Sequence, residues 1–398
     1  MYKARLTLSL LALLGACGGG GAKLTLNAPT IDTLPGGIVR VHNNGPTAWA
    51  DTNGWKLVLE HTFTMPEGSP GQLNNPAGIV ADSKGNIYIL DQKPATIKAY
   101  AADGSFLLTI GREGSGPGEF RQWGMLTIAR DTLVQHDPGQ SRTSTFTTDG
   151  VFLRVWRTMC CYGRPLRADD NGLMPIPGSI RTDTTNKKPA LFAGAGFIRF
   201  RLDSSVVDSI FFPKEPERKM WRFQNKENSS IWSIPFTPGT SSHLDRIGRF
   251  IWGNQEEYRF IVSKTGLDTV RIFESTPDVA TSIPDSLRQE QMDSYLEGNN
   301  NLRSIAKLSD IPSSYPSWTS FTIDGANNIW VLLPGPKGPG SAWDVFTPEG
   351  VLLGKVPTTF TEPYRTFWTR DRVYSLEEDD ATGTMSIKVY RIDKPNPR

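Results

Sequence analysis

Leu73-Asn-Asn-Pro-Ala-Gly-Ile-Val-Ala-Asp-Ser-Lys-Gly-Asn-Ile-Tyr-Ile-Leu-Asp91 is the stretch that decides the fold. Ala77 to Asp82 reads as a short strand, Ser83 to Asn86 as a tight turn, and Ile87 to Leu90 as a second strand ended by Asp91. Downstream, Ile97 to Tyr100 alternates apolar with small or polar residues, as a half-buried strand does. Asp103-Gly104 is a hairpin signal, because glycine accepts positive φ without steric cost. Ser105 to Ile110 is then a fourth strand. Four short strands joined by tight turns make an up-and-down sheet, the unit of a propeller blade.

The unit recurs. Thr319 to Asp324, the turn Gly325 to Asn328 and Ile329 to Leu332 repeat its first half. Trp343 to Phe346, Pro348-Glu349-Gly350 and Val351 to Leu353 repeat its second half. A hairpin glycine preceded by an acid stands at Asp103-Gly104, Asp149-Gly150 and Glu349-Gly350, with a looser copy at Thr265-Gly266. Gly104 and Gly150 are 46 residues apart, a blade-like spacing. The connectors Glu67 to Leu73 and Glu113 to Phe120 are glycine-rich. A phosphate cradle needs a following helix, and here a strand follows both times. The glycines instead let the chain step from one blade's outer strand to the next blade's inner strand.

The run 73–91, continuing through Gly104 to Gly111-Arg-Glu-Gly-Ser-Gly-Pro-Gly-Glu-Phe120, resembles an NHL repeat. The whole chain resembles the six-bladed β-propeller lipoproteins of environmental bacteria, specifically over 73–120, well over 316–356 and only in architecture elsewhere. The resemblance and the repeat spacing predict an all-β, six-bladed propeller over residues 54–394. Blades are expected near 74–111, 119–157, 163–213, 221–274, 315–357 and 364–392. The last has three strands of its own, and the unassigned strand Trp55 to Phe63 completes it, which removes two exposed sheet edges. One helix is expected over 284–299, where Ile283, Leu287, Met292, Tyr295 and Leu296 share a face; it packs over a blade connection or serves as a lid.

The N-terminus reads as a secretory signal. Lys3 and Arg5 precede the apolar run Leu6 to Leu14, too short for a bilayer span of about 20 residues. Leu14-Gly15-Ala16-Cys17 resembles the bacterial lipobox, which implies cleavage before Cys17 and a lipid on its thiol. Residues 1–17 are thus a lipoprotein signal and 18–53 a flexible, extended stem beginning at Gly18 to Gly21. The resemblance implies an exported protein anchored in the cell envelope, and the lack of Asp after Cys17 favours the outer membrane. Cys160 and Cys161 remain, either as two thiols or as a vicinal disulfide stiffening a loop.

Charge and motifs narrow the function classes. With 43 basic and 41 acidic residues there is no electrostatic case for nucleic acid. The four histidines, His42, His61, His136 and His243, show no metal-ligand spacing. The acidic runs Glu377 to Asp380 and Asp169-Asp170 offer oxygen ligands for Ca²⁺ but fit solvated turns better, so no cofactor is predicted. No nucleophile elbow is present, and no catalytic residue is assigned. Propellers bind at the channel mouth, where connectors meet inner strands. The candidates there are Asn75, Arg121, Trp123, Arg164, His243, Tyr315, Trp318, Tyr364 and Arg365. The expected role is a monomeric binding scaffold for a protein, peptide or glycan. The alternative is a metal-dependent hydrolase or lyase like the gluconolactonase-like or amidating-lyase propellers.

Overall fold

The structure, a computed structural model, describes residues 29–45, 47–49, 54–121, 124–158, 167–180, 194–214, 216–226, 228–276, 282–335, 342–357, 360, 365–379 and 383–394. It is a six-bladed β-propeller. Blade one is Pro76–Ala81, Ile87–Gln92, Ala95–Tyr100 and Phe106–Ile110, each strand antiparallel to the last. Blade two is Met125–Ala129, Thr132–Asp137, Arg142–Thr147 and Phe152–Arg157. Blade five is Ser320–Ile323, Ile329–Leu332, Ala342–Phe346 and Leu352–Pro357. Blade six has Thr366–Trp368, Arg372–Glu378 and Met385–Asp393, and Lys56–Thr64 is its outer strand, paired from Ser386 with Thr64 to Asp393 with Lys56. The N-terminal strand therefore closes the ring as expected.

An aspartate organises the turn from first to second strand. Asp82 Oδ1 accepts the amides of Lys84 and Asn86, and Asp324 Oδ1 those of Ala326 and Asn328. Asp245 does the same for Ile247 and Arg249. The other oxygen reaches the second strand: Asp82 Oδ2 accepts from Tyr88 Oη at 3.0 Å, and Asp324 Oδ2 from Trp330 Nε1 at 3.1 Å. Asp169 Oδ1 accepts the amide of Leu173. That turn identifies Met174–Ile180, Gly194–Phe200 and Val206–Phe211 as the second to fourth strands of blade three. Of its inner segment, only Arg167 and Ala168 fall among the described residues.

Blade four departs from the expected 221–274. It comprises Thr240–Leu244, Phe250–Asn254, Arg259–Ser263 and Arg271–Ser275. Met220–Gln224 and Ser229–Ser233, which fall at the start of the expected range, form a separate two-stranded hairpin. Two further strands join this blade's outer edge. Ile38–Asn43 runs parallel to Arg271–Ser275, and Thr30–Leu34 pairs outside it. Part of the expected stem is therefore folded. The physical reason is the alternation Val39, Val41 against Arg40, His42: Val41 is 1% exposed and packs in the cluster that holds Phe273. Asn43 ties this hairpin to blade five, its Nδ2 donating to Gly350 O at 3.0 Å and its Oδ1 accepting from Leu352 N at 2.8 Å.

The core lies between blades rather than at one centre. Val80, Leu90, Ile97, Phe120, Leu126, Leu133 and Phe146 fill the gap between blades one and two. Between five and six, Trp330 and Trp368 pack with their rings tilted and centroids 4.7 Å apart. Aromatic rings suit these wedge-shaped gaps because each buries a large flat area.

Candidate functional site: the upper face and channel

In each blade the turns joining strands one to two and three to four emerge on one face, called lower here. The turns joining strands two to three, and the connectors between blades, emerge on the upper face. Asn75 and Arg121 occupy equivalent upper positions. Asn75 N donates to Asp91 Oδ1 at 2.8 Å, and Arg121 N donates to Asp137 Oδ2 at 2.9 Å. Asp91 and Asp137 each end a second strand and clamp the incoming connector. The side chains above this clamp engage neighbours, Asn75 Nδ2 with Gln92 Oε1 at 3.4 Å and Arg121 with Ser115 Oγ at 3.1 Å.

Among the described residues, the upper face carries one elaboration, around blade four. The Met220–Gln224/Ser229–Ser233 hairpin lies in the connector entering this blade. Helices α1 (Asp285–Leu296) and α2 (Asn300–Arg303) lie in the connector leaving it. Both insertions share a small core of Trp221, Ile234, Met292, Leu302 and Ile311. Asp310 binds both Trp221 Nε1, at 2.9 Å, and Lys219 Nζ, at 2.6 Å. The helix expected over 284–299 is thus present, and it packs on the hairpin. Gln255, in blade four's upper turn, pins the unit from both sides. Its Oε1 accepts Gly239 N at 2.7 Å, its carbonyl accepts Ser317 N at 2.9 Å, and its amide donates to Thr319 O.

Tyr315 belongs to this unit, edge-on to Phe236 at 5.4 Å. Trp318 does not line a mouth: it is 0% exposed, donates to Glu257 O at 3.0 Å, and packs 4.9 Å from Phe260. Its apolar ring is worth more as an inter-blade wedge than in water. His243 lies on the inner strand of blade four rather than in a loop. It pairs with Ile251 and meets Phe321 edge-on at 4.6 Å. Arg365 stands at the start of blade six, 3.8 Å from Glu378. Trp123, Arg164, Tyr364, Cys17, Cys160 and Cys161 lie outside the described residues.

One acid of each run is engaged locally. Glu377 binds Lys388 Nζ at 2.6 Å and Tyr390 Oη at 2.8 Å, and Asp170 pairs with Arg246 at 2.6 Å. Among the described residues no three His, Cys, Asp or Glu side chains gather as a metal site. Nor, among them, is any helix long and apolar enough to cross a membrane.

The sequence reading assigned no role to three interior polar residues, two of them buried and one, Arg167, part-buried. His136 Nδ1 meets Thr143 Oγ1 at 3.0 Å and Thr158 Oγ1 at 3.2 Å, while Nε2 is buried with no partner among the described residues. Burial pulls its pKa down to about 4. Asp344 Oδ2 accepts Tyr258 Oη at 2.5 Å between blades four and five, and burial raises its pKa to about 6. Arg167 reaches from blade three to the carbonyl of Ile323 in blade five. These blades are not neighbours, so the side chain crosses the channel in front of blade four. Arg167 stands two residues before Asp169, the position of Val80, His243 and Thr322 before their own turn aspartates. Aligning the repeats on that aspartate is the signal that would have found it.

No family model matches this chain, and no curated protein matches it. Among solved structures, it is similar to an exported protein of Bacteroides fragilis, at 13% identity and a TM-score of 0.45, covering 90% of this chain and 100% of that one. A member of the DUF4221 family from Bacteroides vulgatus is similar at 13% identity and a TM-score of 0.48, covering 86% and 100%. Virginiamycin B lyase from Staphylococcus aureus is similar at 11% identity and a TM-score of 0.42, covering 85% and 100%.

Proposed function

We propose that this protein is a lipid-anchored envelope propeller with NHL-like repeats that works as a binding scaffold through its upper face. The observation that carries this reading is the cap built around blade four. Two insertions, separated by a whole blade in sequence, share one core and one aspartate on the side where the connectors emerge. Surface elaborated on one side of a repeat ring is where such proteins place recognition. The anchor at Cys17 follows from the lipobox-like tetrad and the glycine tether behind it.

Site-specific photo-crosslinkers test the scaffold role in cells. Probes at Arg121 and Tyr315, on the upper face, should capture a defined partner, and probes at Ser83 and Asp103, on the lower face, should not. Capture confined to the lower face would sink the reading. For the anchor, Cys17→Ser should abolish lipid labelling and move the protein out of the membrane fraction. A variant that still sediments with membranes like wild type rules the anchor out.

A further inference from the structure

We infer that the channel is an anion-binding site, in which the guanidinium of Arg167 receives a small oxyanion, a carboxylate or a phosphate. The inference gives the ligand class for a channel entered from the upper face, and so it rests on the binding role proposed above. It begins with an imbalance of charge. Among the described residues, Arg167 has one hydrogen bond, to the main-chain oxygen of Ile323. A guanidinium carries five N–H donors in a fork that fits two oxygens of an anion side by side. The remaining donors therefore have no protein acceptor among the described residues.

Of the nearby acids, Asp324 and Asp170 are committed elsewhere, while Asp169 keeps its Oδ2 buried without a hydrogen-bond partner among the described residues and is not among the charges that act on Arg167. Asp324 is the nearest whose field favours the cation. Its two oxygens already accept from Ala326 N, Asn328 N, Asn328 Nδ2 and Trp330 Nε1. Asp170 is engaged by Arg246, through Nε at 2.7 Å and Nη2 at 2.6 Å. Arg246 itself opposes the charge on Arg167. Burial is the main influence on Arg167 and lowers its pKa to about 10, so it remains a cation at neutral pH. A desolvated charge without a counter-ion is unfavourable, and an anion beside it removes that cost.

Access exists. Arg167 lies within the ring yet keeps part of its surface uncovered. The inner strands carry small, part-exposed residues, among them Gly78 in blade one and Ser241 in blade four. Such residues leave room along the axis. The bond to Ile323, the last residue of its strand before the lower turn, sets the guanidinium near the lower end. The anion would thus sit toward the lower end of the channel.

The test uses the purified mature protein and thermal unfolding in acetate, phosphate or chloride at matched ionic strength. Saturable stabilisation by acetate or phosphate beyond chloride is expected, about 2 °C at tenfold excess over Kd. Acetate and phosphate arms distinguish a carboxylate site from a phosphate site. Arg167→Met should lose the response, and Arg167→Lys should keep part of it. Wild-type protein that responds to all three salts alike overturns the inference, whatever the variants do. So does an Arg167→Met variant that still responds. If Arg167 were only a strut between blades three and five, Arg167→Met would melt lower and wild type would ignore oxyanions. Upper-face crosslinking without an oxyanion response would leave the scaffold reading standing while this one fails.

Discussion

Gly104 lies against the ring of Phe63 so closely that a Cβ on the glycine would stand 2.2 Å from Cδ1. Gly104 is the outer-hairpin glycine of blade one, and Phe63 belongs to the N-terminal strand that completes blade six. The same contact recurs around the ring. Gly150 faces Leu108, Gly266 the backbone of Phe211, and Gly350 Phe273, each on the outer strand of the preceding blade. All four glycines have φ between 84° and 87°. They serve two purposes at once: the hairpin's left-handed conformation and the close seating of one blade on the next.

Gly104→Ala should therefore cost more than a turn glycine ordinarily does. Left-handed backbone costs an L-residue roughly 1–2 kcal/mol, and overpacking adds roughly 1–3. Gly36→Ala is the control, since its φ is 85° but nothing lies within 4 Å. Chemical denaturation should show Gly104→Ala losing about 3 kcal/mol and Gly36→Ala about 1. Equal losses would mean that contact with the closing strand contributes nothing.

Asp82→Ala should destabilise by about 3 kcal/mol, because a buried carboxylate with several donors is removed and those donors stay behind. The donors are Lys84 N, Asn86 N, Asn86 Nδ2 and Tyr88 Oη, at 2.8 to 3.0 Å. Asp82→Asn keeps one acceptor oxygen for the backbone amides and should lose less. Urea midpoints of the two variants check the order.

His136 and Asp344 should pull the pH profile in opposite directions. The folded pKa of His136 is about 4 against an ordinary 6.5, so its contribution is lost as pH falls from 6.5 toward 4. The folded pKa of Asp344 is about 6 against 3.8, so the fold prefers it protonated, and stability rises as pH falls from 6 toward 3.8. Each swing is about 3 kcal/mol at 1.36 kcal/mol per pKa unit. The two lie in different blades and should add. His136→Asn should therefore gain stability relative to wild type on acidification, and Asp344→Asn should lose it. Melting temperatures from pH 7 to 4 provide the check.

Val41→Asp should cost about 3 kcal/mol, since it places an unpaired charge in the cluster shared by blades four and five. If residues 30–43 were only a tether, the substitution would leave the melting temperature unchanged.

The local repeat was legible because short strands and tight turns are determined by neighbouring residues. Alternating apolar positions, Asp103-Gly104 and the glycine-rich connectors act within a few residues, and they suffice for blade one, blade five and the helix. Ring closure by the strand Trp55 to Phe63 was legible too, as a spare strand matched to a missing one. The blade-four region was misread because Met220–Gln224 and Ser229–Ser233 alternate as any strand pair does. What distinguishes them is their partner, a helix some 60 residues later in the chain. The hairpin at 30–43 shows the same limit, since its strand is held by an edge more than 200 residues away.

The candidate site divides along the same line. Asn75 and Arg121 were placed on the upper face by position in the repeat alone, and Tyr315 joined the cap there. Trp318 carries identical local chemistry yet is buried, because burial depends on where Phe260 and Phe321 arrive. Arg167 was marked only by its place two residues before a turn aspartate. Its neighbours across the channel come from blades four and five, and only closure of the ring brings the cation to the carbonyl of Ile323 with no carboxylate hydrogen-bonded to it among the described residues. Sequence alone thus determined the repeating unit and its turns, which are short-range steric and hydrogen-bonding matters. The tertiary structure decided which residues face the channel, which wedge the blades and which charges stand unpaired, because those depend on distances between segments far apart in the chain.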